Sequence, residues 1–503
     1  MDILTVQQVK EWDQFTIKNE PVSSIDLMER AATQCFKWIE KQDWNGCTFR
    51  VFCAKGNNGG DGLAISRMLA ERGFKVFVYI LEFGKPGTGD FQTNLERLHA
   101  LPVAISYIQG KEHLPALQNN EIILDALFGT GLNKPLDGLA EEIVWHMNQS
   151  GATIVSIDLP SGLFADRTSK GNTIIKASFT LSFQCLKTGL LIQENAPFFG
   201  QVHILDIHLH PGYLKTIQPD LQYIDEAIIK EIFTPRNPFA NKGTYGHALL
   251  IAGGFGKMGA AVMAAKACLH SGTGLISCHI PGCGYTIMQT ALPEVMVMTD
   301  VQEKMVTELP NDIDKYAAIG IGPGIGTSEE TQNLLKFLIK RYHHHLVIDA
   351  DGLNCLSLLK DELKKLPANA ILTPHPKEFD RIFGEHDNDF DRFYTARQKA
   401  IELNCIIVLK SHHTQISTPA GKSYFNSTGN AGMAKGGSGD VLTGIITGLV
   451  AQNYDPVHAA ILGVYLHGKA GDLAAASLSQ EAMVPTDIIQ YLGKAFLYLN
   501  RLD

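Results

Sequence analysis

The feature that most restricts how this chain can fold is an alternation repeated along its length. A short apolar run ends in a loop bearing glycine or aspartate, and a stretch of helical period follows. The first instance is FRVFCA at 49–54, which runs into KGNNGGDG, then LAISRMLAERG, then KVFVYIL. That is one strand–loop–helix–strand unit, the repeating unit of a parallel sheet. EIILDAL at 121–127 and ATIVSIDLP at 152–160 continue the series, each with an aspartate and a glycine-bearing loop at its end. The pattern weakens in HPGYLKTIQPD, near 210–220, which has turn residues and no sustained period. A second series then opens with HALLIAGG at 247–254 and runs through GLISCHIP, AAIGIG, HLVIDAD, AILTPH and CIIVLKS. No internal repeat links the halves, so the expectation is two separate α/β domains, 1–218 and 223–503, each built on a parallel sheet.

Composition narrows the function class. A net charge of -9 and the lack of a basic arm argue against nucleic acid and against anionic membrane surfaces. No run approaches the eighteen or so apolar residues of a membrane span. The nine cysteines show no CxxC pair and no zinc-like spacing, so reduced thiols and a cytoplasmic setting are expected. MDILTVQQVKEWDQFTI is polar and mildly amphipathic, and is read as the first helix.

Three loops of the first half carry candidate chemistry. GNNGGDG lacks both the GxGxxG spacing of a dinucleotide fingerprint and the GK[ST] of a P-loop. On its residues alone it reads equally as a capped helix start or as a ligand loop. DALFGTGLNKPLDG offers glycine amides and Lys134, suited to a phosphate, and DLPSG sets Asp158 and Ser161 at a tight turn. In open α/β sheets ligands sit beyond the carboxyl ends of the strands, so the three loops point to one small-molecule crevice. Asn58, Asp125 and Ser161 would suit a hard cation of low charge better than zinc. Asp158 is the best general acid/base among these residues, provided its pocket raises its pKa.

In the second half, NAGMAKGGSGD (430–440) precedes the apolar run VLTGIITGLVA. Glycines there allow close backbone approach, and amides at the start of the following helix would face an anion. Asp440, a carboxylate beside that cradle, is suited to take a proton or to hold a cation. The plainer reading is that Ser438 and Asp440 only cap the helix.

AKGNNGGDGLAISRML, DALFGTGLNKPLDG and SIDLPSGL resemble the epimerase domain of the bifunctional NAD(P)H-hydrate repair enzymes, over nearly all of 1–215. GPGIG (322–326), DADGLN (349–354), LTPHPKEF (372–379), KSHHT (410–414) and the GGSGD loop resemble the ADP/ATP-dependent dehydratase of the same family, which is ribokinase-like. The resemblance implies a Rossmann-like three-layer domain followed by a ribokinase-like α/β domain. It implies that Asn57, Asn58, Gly59, Gly60 and Asp61, with Gly129, Thr130, Gly131, Leu132, Asn133, Lys134 and Pro135, hold hydrated NADH or NADPH (NADHX, NADPHX). Asn58, Asp125 and Ser161 would surround potassium, and Asp158 would contact the reacting ring. In the second domain Ala260, Gly324, His375 and Asp440 would contact the hydrate. Lys410, Ser411, His412, His413, Thr414, Asn430, Gly436, Gly437, Ser438 and Gly439 would bind ADP or ATP, with Mg2+ alongside. Asp440 would take the proton of the ring hydroxyl as it is phosphorylated. A homo-oligomer is the expected assembly.

Ser411 stands where the family has glycine and Lys435 where it has threonine, so phosphate contacts there are expected to differ. An ordinary small-molecule kinase stays open as a reading of the second half, because fold does not settle function. Fusion of both activities in one chain is more like the ADP-using branch.

Overall fold

The computed structural model describes residues 1–501, which separate into two compact units. One is Asp2–Pro219 with Asn388–Phe390; the other holds Asp220–Asp387 and the remainder of the chain beyond residue 390, together with Met1.

The first unit opens with a two-residue strand, β1 (Asp2–Ile3), and two helices, Val6–Asn19 and Ser24–Glu40. Thr5 and Ser23 start these helices with capping boxes, each closed by a Gln or Asp three residues on. Seven strands follow: β2 (Thr48–Cys53), β3 (Lys75–Leu81), β4 (Ala104–Ile108), β5 (Ile122–Ala126), β6 (Thr153–Ile157), β7 (Phe179–Phe183) and β8 (Gln201–Leu205). They form one all-parallel sheet in the order β4-β3-β2-β5-β6-β7-β8. Phe49, Val51 and Cys53 pack with Val78 and Ile80 on one face, under helices that supply Cys35, Leu63 and Leu98. Phe52, Tyr79 and Leu81 pack on the other face with Ile143 and Met147. Burial on both faces explains why the strands read as nearly continuous apolar runs, and it gives the three layers expected.

GNNGGDG is not a free loop. Asn57 begins the helix Asn57–Glu71, and its glycines serve packing. A Cβ on Gly59 would fall 1.7 Å from the Ala54 carbonyl oxygen, and one on Gly62 would fall 2.5 Å from the Ala126 methyl. The helix therefore lies directly on the ends of β2 and β5.

In the second unit β9 (Leu221–Tyr223), β10 (His247–Ile251), β11 (Leu275–Ile280), β12 (Met296–Thr299), β13 (Ala318–Ile321), β14 (His345–Ile348), β15 (Ile371–Leu372), β16 (Ile406–Leu409), β17 (Gln415–Ser417) and β18 (Ser423–Phe425) share a sheet. Their order is β9-β18-β17-β16-β15-β14-β13-β10-β11-β12, parallel from β16 to β12, with β17 antiparallel to both of its neighbours. Ala248 and Leu250 face one core and Leu249 and Ile251 the other, so helices cover both faces. The helix Ser438–Ala451 is buried from Val441 onward. Gly444 lets it press on the helix Met258–His270, since a Cβ there would lie 2.1 Å from the Ala264 carbonyl oxygen.

β4, β9, β12, β17 and β18 were not legible as strands. β9, β17 and β18 are three residues long, too short to show a period, and β12 is half-exposed MVMT after a loop.

Candidate active sites

In the first sheet the strand order turns back at β2, with β3 and β4 to one side and β5 to the other. Such a switch point opens a crevice at the carboxyl ends of the strands. A cavity of about 580 Å³ lies there. Its wall includes Asn57, Asn58, Asp61, the run 129–134, Asp158 and Lys187, with Val6, Val9, Lys10 and Asp13 from the first helix. Gly59, Gly60 and Pro135 are not on that wall, and both glycines are turned into helix packing. Lys134 is exposed and pairs with Asp137 at 3.5 Å.

Asp158 follows β6 with a φ of +66°, a left-handed backbone uncommon outside glycine. Its carboxylate accepts from the Thr130 amide at 2.7 Å, from the Thr130 hydroxyl, and from Lys187 Nζ at 3.1 Å. Lys187 is buried and also donates to Ser182 Oγ (2.9 Å) and the Phe183 carbonyl (2.7 Å). Burial alone would raise the Asp158 carboxyl, but the Lys187 charge and the Thr130 bonds outweigh it and hold the group below its ordinary value. The rise expected for Asp158 as a general acid/base is therefore not found; the pocket favours its carboxylate form. The groups pushed upward are its neighbours. Burial, then the Asp158 and Asp13 charges, drive Asp61 well up, and burial followed by Asp158 raises Asp13 to about 6 against the opposing pull of Lys187.

Asp125 and Ser161 lie wholly buried behind the wall. Ser161 donates to Asp125 from its hydroxyl (2.5 Å) and its amide (2.8 Å), Ser156 adds a third bond at 2.7 Å, and the Phe128 amide donates to Ser161 Oγ at 2.9 Å. Asn58 is different, because neither polar atom of its buried amide finds a hydrogen-bond partner among the described residues. A Cβ on Gly129 would lie 3.1 Å from Asn58 Oδ1 and 2.6 Å from Asp158 Oδ2, so the glycine keeps that corner open. An orphaned amide oxygen across Gly129 from the Asp158 carboxylate is the kind of donor that suits a hard monovalent cation such as K+.

In the second sheet the order turns back at β10, between β13 and β11. Gly324 and Ala260 meet there; a Cβ on the glycine would be 3.3 Å from that of Ala260. Nearby, Lys257 pairs with Asp351 at 3.2 Å. Lys410, at the end of β16, donates to Asp349 at 2.8 Å and lies 3.8 Å from Glu378, while Thr443 donates to the other Asp349 oxygen at 2.6 Å. Gly439 places the helix start against this pair, its Cβ position falling 3.4 Å from Lys410 Nζ. The N-cap is Gly437, with a left-handed φ of +101°, so neither Ser438 nor Asp440 caps the helix. Ser438 shares a 3.3 Å contact with buried His467. Burial and the charges of Asp349 and Asp351 raise Asp440 to about 6, although Lys410 opposes the shift.

His375 starts the helix Pro376–Phe383, its ring accepting from the Lys377 amide at 3.1 Å and from that of Glu378 at 3.4 Å. Burial and the Lys410 charge keep it below its ordinary pKa, and it stays 45% exposed, so it combines a capping role with an open face. Ser411 donates to the His413 carbonyl at 2.9 Å, and Thr414 closes the turn onto the Ser411 carbonyl at 3.1 Å. His413 is held by the Asn426 carbonyl and pushed down to about 4 by burial, while His412 is exposed. Asn430 is anchored to Asp472 at 2.9 Å. Lys435 turns away from the glycine run to the carbonyls of Glu481 (2.6 Å) and Met483 (2.5 Å).

Residues 24–189 match the family described as YjeF-related protein N-terminus, and 248–494 match NAD(P)H-hydrate dehydratase. The chain is 34% identical over 509 residues to a bifunctional NAD(P)H-hydrate repair enzyme of Moorella thermoacetica, covering 98% of this chain and 96% of that one. The chain belongs to the bifunctional NAD(P)H-hydrate repair enzymes. The Escherichia coli repair enzyme is 30% identical over 474 residues, 93% of this chain and 89% of its own. Among solved structures, a ribokinase-like superfamily protein from Enterococcus faecalis matches with TM-score 0.50 and 29% identity, over 57% of this chain and 98% of that one. The ADP/ATP-dependent NAD(P)H-hydrate dehydratase of Bacillus subtilis, co-crystallized with ATP/Mg2+, is 30% identical over 55% of this chain and 98% of its own, with TM-score 0.49.

In this member of the repair-enzyme family two polar residues of the first site escaped sequence reading, Asp13 and Lys187, while Asp349 and Glu378 fall within the DADGLN and LTPHPKEF loops without being assigned a part. Lys187 follows a strand on the carboxyl side, the one signal that would have found it. Asp13 shares a helix face with Val6, Val9 and Lys10, at spacings of three, four and seven.

Proposed function

We propose that the first cavity binds the R and S hydrates of NADH and NADPH and interconverts them, and that the second site dehydrates the S form at the expense of ADP or ATP. The observation that carries the reading is the pairing of two switch-point sites, each setting an aspartate near a lysine: Asp158 beside the buried Lys187, and Asp440 near Lys410, whose charge opposes the rise that burial and Asp349 impose. Asn57, Asn58, Asp61 and 129–134 form the hydrate wall. Asn58, Asp125 and Ser161 would hold K+, which would anchor the loops around Asp158.

In the second site Ala260, Gly324, His375 and Asp440 face the hydrate, while the amides of Gly436, Gly437 and Gly439 and the first turn after them face the nucleotide phosphates. Lys410, Ser411, His412, His413, Thr414, Asn430 and Ser438 complete that side. Hydroxide is a poor leaving group. Asp440 accepts the proton of the ring hydroxyl as the oxygen takes the terminal phosphoryl group; phosphate then leaves, and loss of the adjacent ring proton restores the nicotinamide, giving AMP when ADP is used. Mg2+ accompanying the nucleotide would disperse the charge of the phosphoryl group. The nine cysteines, free throughout the structure, support a cytoplasmic setting.

The test is NADH absorbance from mixed R and S NADHX with ADP or ATP. Complete conversion is expected, and pure R hydrate without nucleotide should yield S. A stable phosphorylated product without NADH would establish an ordinary kinase instead.

A further inference from the structure

The first helix, Val6–Asn19, carries no sequence motif, yet one of its faces forms part of the cavity wall. Val6 and Val9 give that wall an apolar lining, and Lys10 and Asp13 bring charge to it. Asp13 is half-buried and has no hydrogen-bond or ion-pair partner among the described residues. A carboxyl held in a cavity without a partner has no structural task there, and its proton is free to be given or taken. The other charged groups of the wall are Lys10 on its own helix and Asp61, Lys134, Asp158 and Lys187 from other elements.

The substrate's chemistry, resting on the epimerase reading above, calls for two such groups. An enamine takes up a proton on its β-carbon and hydroxide on the carbon beside nitrogen, so the R and S hydrates differ at one hydroxyl-bearing carbon next to the ring nitrogen. Exchange of configuration there needs an acid to help the hydroxyl leave and a base to receive the water that returns.

We propose that Asp13 is the proton donor of the first cavity, protonating the departing hydroxyl of the hydrate while Asp158 serves as the matching base. The Asp13 proton passes to the hydroxyl, the carbon–oxygen bond breaks, and the ring nitrogen lone pair forms a carbon–nitrogen double bond as water leaves. A water then adds to the opposite face of that carbon, its spare proton going to Asp158, and the nitrogen recovers its lone pair. One water leaves and one enters, with no change of oxidation state. The proton returns from Asp158 to Asp13, drawn by Lys187, which favours the ionised form of Asp158. The environment separates the two carboxyls in the sense this division requires: Asp13 is raised to about 6 and Asp158 is lowered.

The full-length protein is assayed with purified R hydrate of NADPH and no nucleotide, the two forms being separated by chromatography. Asp13→Asn should lower kcat by about 10²-fold or more with KM changed by less than about threefold, and Asp13→Glu should recover at least about tenfold of that loss. In water enriched in oxygen-18, wild type should place one solvent oxygen in the hydrate at each inversion. An Asp13→Asn variant with kcat within about threefold of wild type, or a loss confined to KM, overturns the assignment. Inversion without solvent oxygen overturns the step itself, whether or not the variants fold. Wild type that leaves R hydrate unchanged would sink the epimerase reading, whereas equal turnover by wild type and Asp13→Asn would sink only the role of Asp13.

Discussion

Lys187 Nζ stands 3.1 Å from Asp158 in the wall of the first cavity, and both side chains are largely withdrawn from solvent. The lysine decides that Asp158 is ionised, against the direction in which burial pushes. Lys187→Met should therefore leave a buried unpaired carboxyl and cost about 3–5 kcal/mol, while Lys187→Met with Asp158→Asn should recover part of it. Urea unfolding followed by tryptophan fluorescence reads this domain selectively, because all four tryptophans (12, 38, 44 and 145) lie in it. Without Lys187, burial raises the Asp158 carboxyl, so the deficit of Lys187→Met should begin to shrink above the ordinary carboxyl pKa of about 4 as pH falls. It should go on shrinking below that value, where the wild type loses the stability its depressed carboxyl supplies.

Asp440 is raised to about 6. As a proton acceptor it works only when ionised, so the dehydration rate should fall about tenfold per unit as pH drops below that value and level off above it. Asp440→Asn should bind nucleotide normally and lose about 10²–10⁴-fold in NADH formation, with the acid limb of the profile gone. Normal turnover by this variant removes Asp440 from the reaction.

Gly129 is tested by adding one methyl. Its Cβ would fall 2.6 Å from Asp158 Oδ2 and 3.1 Å from Asn58 Oδ1, closing the corner that suits a cation. Gly129→Ala should abolish R-to-S conversion while purified S hydrate is still dehydrated at the wild-type rate. Unchanged epimerisation would show that nothing needs that space.

Lys435 faces two carbonyls rather than the nucleotide. Lys435→Ala should lower the stability of the second domain by about 1 kcal/mol in calorimetry, and leave the salt dependence of nucleotide KM unchanged. A flattened salt dependence would place its charge on phosphate after all.

The alternation of apolar runs with glycine-bearing loops was enough to read two parallel α/β domains, because strands buried on both faces carry their signal in composition alone. Asp158 stands out in sequence because a glycine-bearing turn follows a strand there, and Asp440 because it follows a glycine run, though the structure puts it in the first turn of the helix Ser438–Ala451. The role of GNNGGDG in seating a helix on β2 and β5 was not legible, since close contact with Ala54 and Ala126 is a fact of three dimensions. Asp13 and Lys187 were missed because each reaches the cavity from an element with no motif, a helix face in one case and the end of a strand in the other. The sign of the Asp158 shift depended on Lys187, 29 positions away, and no local reading of DLPSG contains it.

The near-contact of Gly444 with Ala264 gives the second site a kind of leverage. Any bulkier side chain at that seam would prise the helix Ser438–Ala451 off its neighbour, and the displacement would be felt one turn earlier, at Asp440. A glycine on the buried side of the helix thus sets the aim of Asp440, and damage there would mimic a lesion at Asp440 while leaving its carboxylate intact.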